Sequence, residues 1–186
     1  MPCNEHMTGS QGKEKAVPQP GRYKIDTSHS AITFTSRHLF GLLPVHGTFA
    51  IRGGTIEVSE SRAASTVHAE VDAASFHTGS ERRDTDVRSA RFLDTARHPV
   101  LTFDSERVDD AGIAGKLTAR GVTQQVVLTI ERLDVASDSV TAHATVRIDR
   151  TDFGVTAARG LAGRYLDLAL EVRAVRAPRA GGTAHD

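Results

Sequence analysis

Nine histidines among 186 residues are the first groups in this sequence able to do chemistry. His29, His38, His46, His77 and His98 fall in expected turns or strand ends, where metal ligands often sit. No two share a strand at His-x-His spacing and no His-Glu-x-x-His occurs, so nothing arranges them around one ion. His68 and His143 fall on the polar faces of their strands, where a solvated imidazole needs no ligand. Ser30 and Ser36 stand near His29 and His38, but no Gly-x-Ser-x-Gly elbow presents either hydroxyl as a nucleophile. Asp84 and Asp94 could share acid–base work. Equally, Asp84 can pair with Arg88 one helical turn on, while Asp94 closes a turn. Gly160 and Gly163 beside Arg159 match no phosphate-loop pattern and read as a turn. The densest cluster is residues 81–97, with the acids Glu81, Asp84, Asp86 and Asp94 and the arginines Arg82, Arg83, Arg88, Arg91 and Arg97. An arginine fork there could hold a phosphate head group or hydrogen-bond a quinone oxygen. The alternative is a solvated helix face laced with ion pairs.

The elements that must position these groups are mostly strands. Residues 31–37 alternate, with Ile32 and Phe34 opposite Thr33, Thr35 and Arg37. Residues 65–72 set Val67, Ala69 and Val71 opposite Thr66, His68, Glu70 and Asp72. The longest alternations come late: Val140, Ala142, Ala144, Val146 and Ile148, then Leu166, Leu168, Leu170 and Val172. Such patterns put one face on a core and the other in water. Further strands are expected over 48–58, where Gly53-Gly54 marks a bulge or turn, and over 100–108, 113–120 and 124–133. About eight strands at hairpin spacing predict an all-β sandwich or barrel. Closure of an antiparallel barrel removes exposed edges, and eight strands enclose either a solid core or one small ligand. One helix interrupts the series, over about 81–91. Thr78-Gly79-Ser80-Glu81 has the form of a capping box before it, and Pro99 stands after it.

Lysine plus arginine and aspartate plus glutamate each number 23, so the formal charge is zero. That balance argues against nucleic acid and against a polybasic membrane patch as partners. No run approaches the roughly 20 apolar residues of an integral membrane segment. Cys3 is the single cysteine, which rules out an internal disulfide. Residues 1–21 read as a disordered polar tail without the basic start and apolar run of a secretory signal, which predicts a cytoplasmic protein. Residues 177–186 read as a flexible C-terminal tail, leaving 22–176 as one domain.

The sequence resembles the YceI-like polyisoprenoid-binding family. The likeness begins at Tyr23-Lys24-Ile25-Asp26, His29-Ser30, Ile32, Phe34 and Arg37-His38, then Gly41, Val45, Gly47, Phe49, Gly54, Ile56 and Val58. Its most distinctive stretch holds Ser75-Phe76, Thr78-Gly79, Arg83-Asp84, Arg88-Ser89, Phe92-Leu93-Asp94, Pro99, Phe103 and Ser105. Gly121-Val122-Thr123 with Val126 and Leu128, and then Asp152-Phe153-Gly154-Val155, complete the series.

The resemblance implies an extended, lipocalin-like antiparallel β-barrel of about eight strands with one short helix. It also implies binding, without catalysis or cofactor, of a long amphiphile: a polyisoprenoid, an isoprenoid quinone or a fatty amide. It further suggests a homodimer. Burial of such a tail contributes about 25 cal/mol per Å² of apolar surface. Tunnel-lining candidates are Ile32, Phe34, Phe49, Val67, Phe92, Phe103, Leu128 and Phe153. Head-group candidates are Arg37, His38, Arg83 and Asp84. Two rival readings are an enzyme using His29, His38 and Asp84 on a terpenoid-like substrate at the barrel mouth, and a structural protein with a solid core.

Overall fold

The computed structural model describes residues 17–38, 42–110 and 112–178, the His38 side chain apart. Most of the two expected tails therefore lies outside the described residues. Strands β1 (Gly21–Ile25), β2 (Ala31–His38), β3 (Leu43–Val58) and β4 (Thr66–His77) precede helix α1 (Glu81–Arg88). Strands β5 (Val100–Val108), β6 (Gly112–Ala119), β7 (Val122–Val135), β8 (Ser139–Asp149) and β9 (Tyr165–Arg176) follow it.

Every pairing is antiparallel, in the order β3-β2-β9-β8-β7-β6-β5-β4, and β4 returns to β3 to close an eight-stranded barrel. β1 is a ninth strand that the alternation did not single out, yet it adds no new position to the ring. It pairs with β3 through Gly21↔Val58 to Lys24↔Thr55 and with β9 through Tyr23↔Arg176 to Ile25↔Ala174, the two neighbours that β2 also has. β1 and β2 are thus one wall strand broken at residues 26–30. The Asp26 carboxylate makes the break by accepting the Ser28 N–H and hydroxyl at 3.1 and 2.6 Å, which starts a 3₁₀ turn. The same Ser28 hydroxyl is the main cause of an Asp26 pKa lowered to about 2.

Gly53-Gly54 is a bulge and not a turn, because β3 runs through it while its register against β4 slips between Ile51 and Gly53. Gly54 has φ +157°, and a Cβ there would collide with the His68 carbonyl oxygen. Gly47 faces Phe34 across β2–β3, and a side chain at 47 would overlap the Phe34 ring. The missing Cβ is what allows that ring to lie flat inside the wall.

The helix is shorter than expected and starts differently. Ser80 is its N-cap without a side-chain bond, so Glu81 is the first helical residue and lies too early to complete a capping box. Asp84 instead reaches back, accepting the Thr78 N–H at 3.0 Å and its hydroxyl at 2.6 Å. After Arg88 the chain leaves the helix through Asp94, whose φ of 50° is left-handed and whose carbonyl accepts the Arg97 and His98 N–H groups. Arg88 does not close an ion pair on Asp84; its guanidinium donates to the Phe76 carbonyl at 2.7 Å.

The inner face is apolar along every strand, but it is not packed solid. Three separate buried clusters form: around Phe34, Phe49 and Phe76; around Ile148, Phe153 and Val155; and around Tyr23, Val140 and Ala174. Among the described residues no large side chain is below 2% exposure. Val67, Ile113, Leu128 and Ile130 lie on the inward face yet are only half-buried and belong to none of the clusters. An eight-stranded barrel filled to normal interior density would bury them. The middle of the barrel is a lumen.

Candidate functional site

All chain reversals near α1 fall at one end of the barrel: the end of β2, the start of β3, the 89–98 loop and the 154–164 loop. A cavity of about 100 Å³ opens there. Its floor is an aromatic triad from three neighbouring strands. Phe34 and Phe76 stack with centroids 5.1 Å apart, and Phe49 sits 5.6 and 5.4 Å from them. Val87, Phe92 and Leu93 close one side from α1 and its following loop. Val155, Ala162, Gly163 and Leu166 close the other.

Two cations look into this apolar space. Arg83 comes from α1 and donates to the Thr78 hydroxyl at 3.2 Å. Arg150 stands just past β8 and is 8% exposed. Its Nε donates to the Gly163 carbonyl at 2.7 Å, and its terminal nitrogens donate to the Val155 and Ala162 carbonyls at 2.6 and 3.2 Å. No carboxylate neutralises it directly. The neighbouring Asp149 is engaged by the Thr151 hydroxyl at 2.6 Å and by Arg164 at 2.6 Å. Burial pushes the Arg150 guanidinium below its ordinary value, as expected of a cation held mainly by neutral carbonyls. Three of its five N–H groups are engaged; the guanidinium also lies 5.9 Å from the Phe92 ring centroid. A buried, uncompensated charge at the wall of an apolar cavity is suited to the polar end of an amphiphile.

The predicted site residues divide by position. Phe34, Phe49, Phe92 and Arg83 line this cavity. Ile32 lies beneath it, paired with Phe49 in the same cluster, and Phe153 belongs to the adjoining cluster with Val155. Val67, Phe103 and Leu128 face the middle of the lumen, with Phe103 buried and the other two half-buried. Arg37 is exposed on the outer side of β2, and the His38 side chain lies outside the described residues. Asp84 is buried, with its carboxylate turned to Thr78 and, at 3.1 Å, to His77. His29 stands in the turn between β1 and β2, at the opposite end of the barrel from Asp84, so these two do not share one constellation. Among the described residues no three of His, Cys, Asp and Glu are placed to hold a metal ion.

Arg150, Phe76, Val155 and Leu166 are cavity residues that the sequence reading did not select. A signal for Arg150 existed, because the inward parity of Val146 and Ile148 carries on to position 150.

Asp84 organises the mouth, and its charge state is testable. Burial alone would raise its carboxyl, but the Thr78 hydroxyl and N–H, with His77 and Arg88 nearby, bring it below the usual carboxylate value. A depressed pKa contributes stability that is present above the unfolded value, near 4, and is lost as pH falls through the folded one. Asp84→Asn is therefore expected to lower stability by about 2 kcal/mol at pH 7. In urea titrations at pH 7 and pH 3 the gap from the parent should narrow at acid pH. A gap independent of pH would contradict this role.

A closed antiparallel barrel with an apolar inner face, a half-empty middle and a mouth at its helix end defines a lipocalin-like barrel. Within that class the chain belongs to the YceI-like family, whose domain model matches residues 23–174. It is 34% identical over 166 residues to protein YceI of Escherichia coli O17:K52:H18, covering 83% of this chain and 86% of that one. It is 32% identical over 184 residues to the UPF0312 protein ECA1782 of Pectobacterium atrosepticum, covering 91% and 92%. Among solved structures, BcnA of Burkholderia cenocepacia superposes with a TM-score of 0.70 at 18% identity, over 80% of this chain and 98% of that one. A polyisoprenoid binding domain from Saccharophagus degradans superposes with a TM-score of 0.67 at 15% identity, over 86% and 100%.

Proposed function

We propose that this protein binds a long-chain amphiphile, a polyisoprenoid, isoprenoid quinone or fatty amide, and acts as its carrier or store. The observation that carries the reading is the unfilled apolar lumen, whose inward residues Val67, Leu128 and Ile130 stay half-buried in a closed barrel. The tail lies along that lumen, and the head group meets Arg83 and Arg150 at the mouth. The polyisoprenoid binding domain of similar fold supports this choice of ligand class. Each buried methylene contributes about 0.8 kcal/mol, so tail length and lumen length together set selectivity.

Native mass spectrometry of the purified protein, followed by organic extraction of whatever is released, tests this reading. A bound mass that extracts as a prenyl lipid, quinone or fatty amide is the expected result. An unliganded protein that also fails to bind any member of an added prenyl-chain series would overturn it.

A further inference from the structure

The mouth of the barrel is ringed by apolar side chains that the fold leaves in solvent. Among the described residues seven large apolar side chains are exposed, and four of them, Leu42, Leu43, Leu161 and Tyr165, belong to this one end. Their grouping follows from the pairings. Leu43 lies across from His38 at the end of β2, and Leu42 precedes it. On the other side of β2, the Ser36 hydroxyl donates to the Tyr165 carbonyl at 2.9 Å. Leu161 stands in the turn that leads into Ala162 and Gly163 at the cavity wall. Leu42 is 78% exposed, the extreme of the set.

Charge surrounds these side chains with one predominant sign. Residues 36–38, 42–45 and 147–167 carry five arginines against three aspartates, in a chain whose formal charge is zero. Tyr165 lies between two of the arginines, with Arg164 and Arg147 at 5.3 and 5.8 Å from its ring centroid. An aromatic ring flanked by guanidinium groups and apolar tips matches the chemistry of a bilayer interface. There apolar groups enter the acyl boundary and cations meet anionic head groups. A second copy docking on the same rim about a two-fold axis would set arginines against arginines.

We infer that the mouth rim of Leu42, Leu43, Leu161 and Tyr165 docks on an anionic lipid bilayer, placing the cavity opening against the membrane surface. The inference goes beyond the ligand reading, and its geometry does not depend on that reading. A ligand that resides in membranes would enter without crossing bulk water.

Sedimentation of the full chain with vesicles of phosphatidylcholine alone, or of phosphatidylcholine with an anionic phospholipid, tests it. The parent protein is expected to partition onto the anionic vesicles and to be released by salt. The double variant Leu42→Glu/Leu161→Glu should lower that partition at least about tenfold. Leu133→Glu, which changes an exposed leucine on the opposite half of the wall, should leave it unchanged. Equal loss in both variants, or no binding to either vesicle, overturns the inference. So does a parent dimer that the double variant converts to monomer without any vesicle binding, since the rim then joins two copies. Prenyl-chain binding measured without vesicles separates this from the ligand reading: either can fail while the other stands.

Discussion

Leu128→Lys is expected to abolish tail binding while leaving the barrel folded. Leu128 sits on β7 across from Ile113, facing inward, half-buried and outside every buried cluster. In the unliganded barrel a lysine there reaches lumen water, so unfolding stability should fall by no more than about 2 kcal/mol. With a tail in place the ammonium would have to desolvate against hydrocarbon, which costs several kcal/mol. Affinity for a prenyl chain should therefore fall at least about 100-fold. The solid-core reading predicts the reverse: a lysine buried in a filled interior would unfold the protein. Urea titration and prenyl-chain titration of the same variant separate the two. Unchanged affinity in a folded variant would place the tail elsewhere.

The strands were legible because a wall strand carries its inside and outside in alternate residues. Residues 140–148 and 166–172 could be assigned to faces with no other information, and the structure keeps those faces. β1 was not legible for a related reason. It has five residues, is half of a broken strand, and owes its place to pairing with the distant ends of β3 and β9. The Thr78/Glu81 box misled because Thr78 and Asp84 satisfy each other directly, and local spacing cannot tell the two arrangements apart. The aromatic part of the mouth was half visible. Phe34, Phe49 and Phe92 lie in it, whereas Phe76 needed the closure of β4 onto β3 before it could be placed against Phe34. Alternation cannot report whether an inner face is filled. Lumen and core use the same residues, and only exposure in three dimensions distinguishes Leu128 from Ile148.

Arg150→Met should cost the protein about 3 kcal/mol of stability, and Arg150→Lys should recover little of it. The guanidinium ties the Val155, Ala162 and Gly163 carbonyls, so one planar fork fixes the whole loop that forms one side of the cavity. Hydrogen bonds from a charged donor contribute about 1.5–3 kcal/mol each, while removing a buried, uncompensated cation returns part of that sum. The net remains unfavourable because three carbonyls lose their donors together. Lysine keeps the charge but offers a point donor on a flexible stem, which cannot meet three acceptors spread across residues 155–163. A loss below about 1 kcal/mol in urea titration would show that the loop is held by other contacts. The same variants address the head group. If Arg150 meets it, Arg150→Met weakens binding of a prenyl alcohol or quinone more than binding of a plain hydrocarbon of equal length. If both weaken equally, the arginine only shapes the mouth, and the head group is recognised from the α1 side by Arg83.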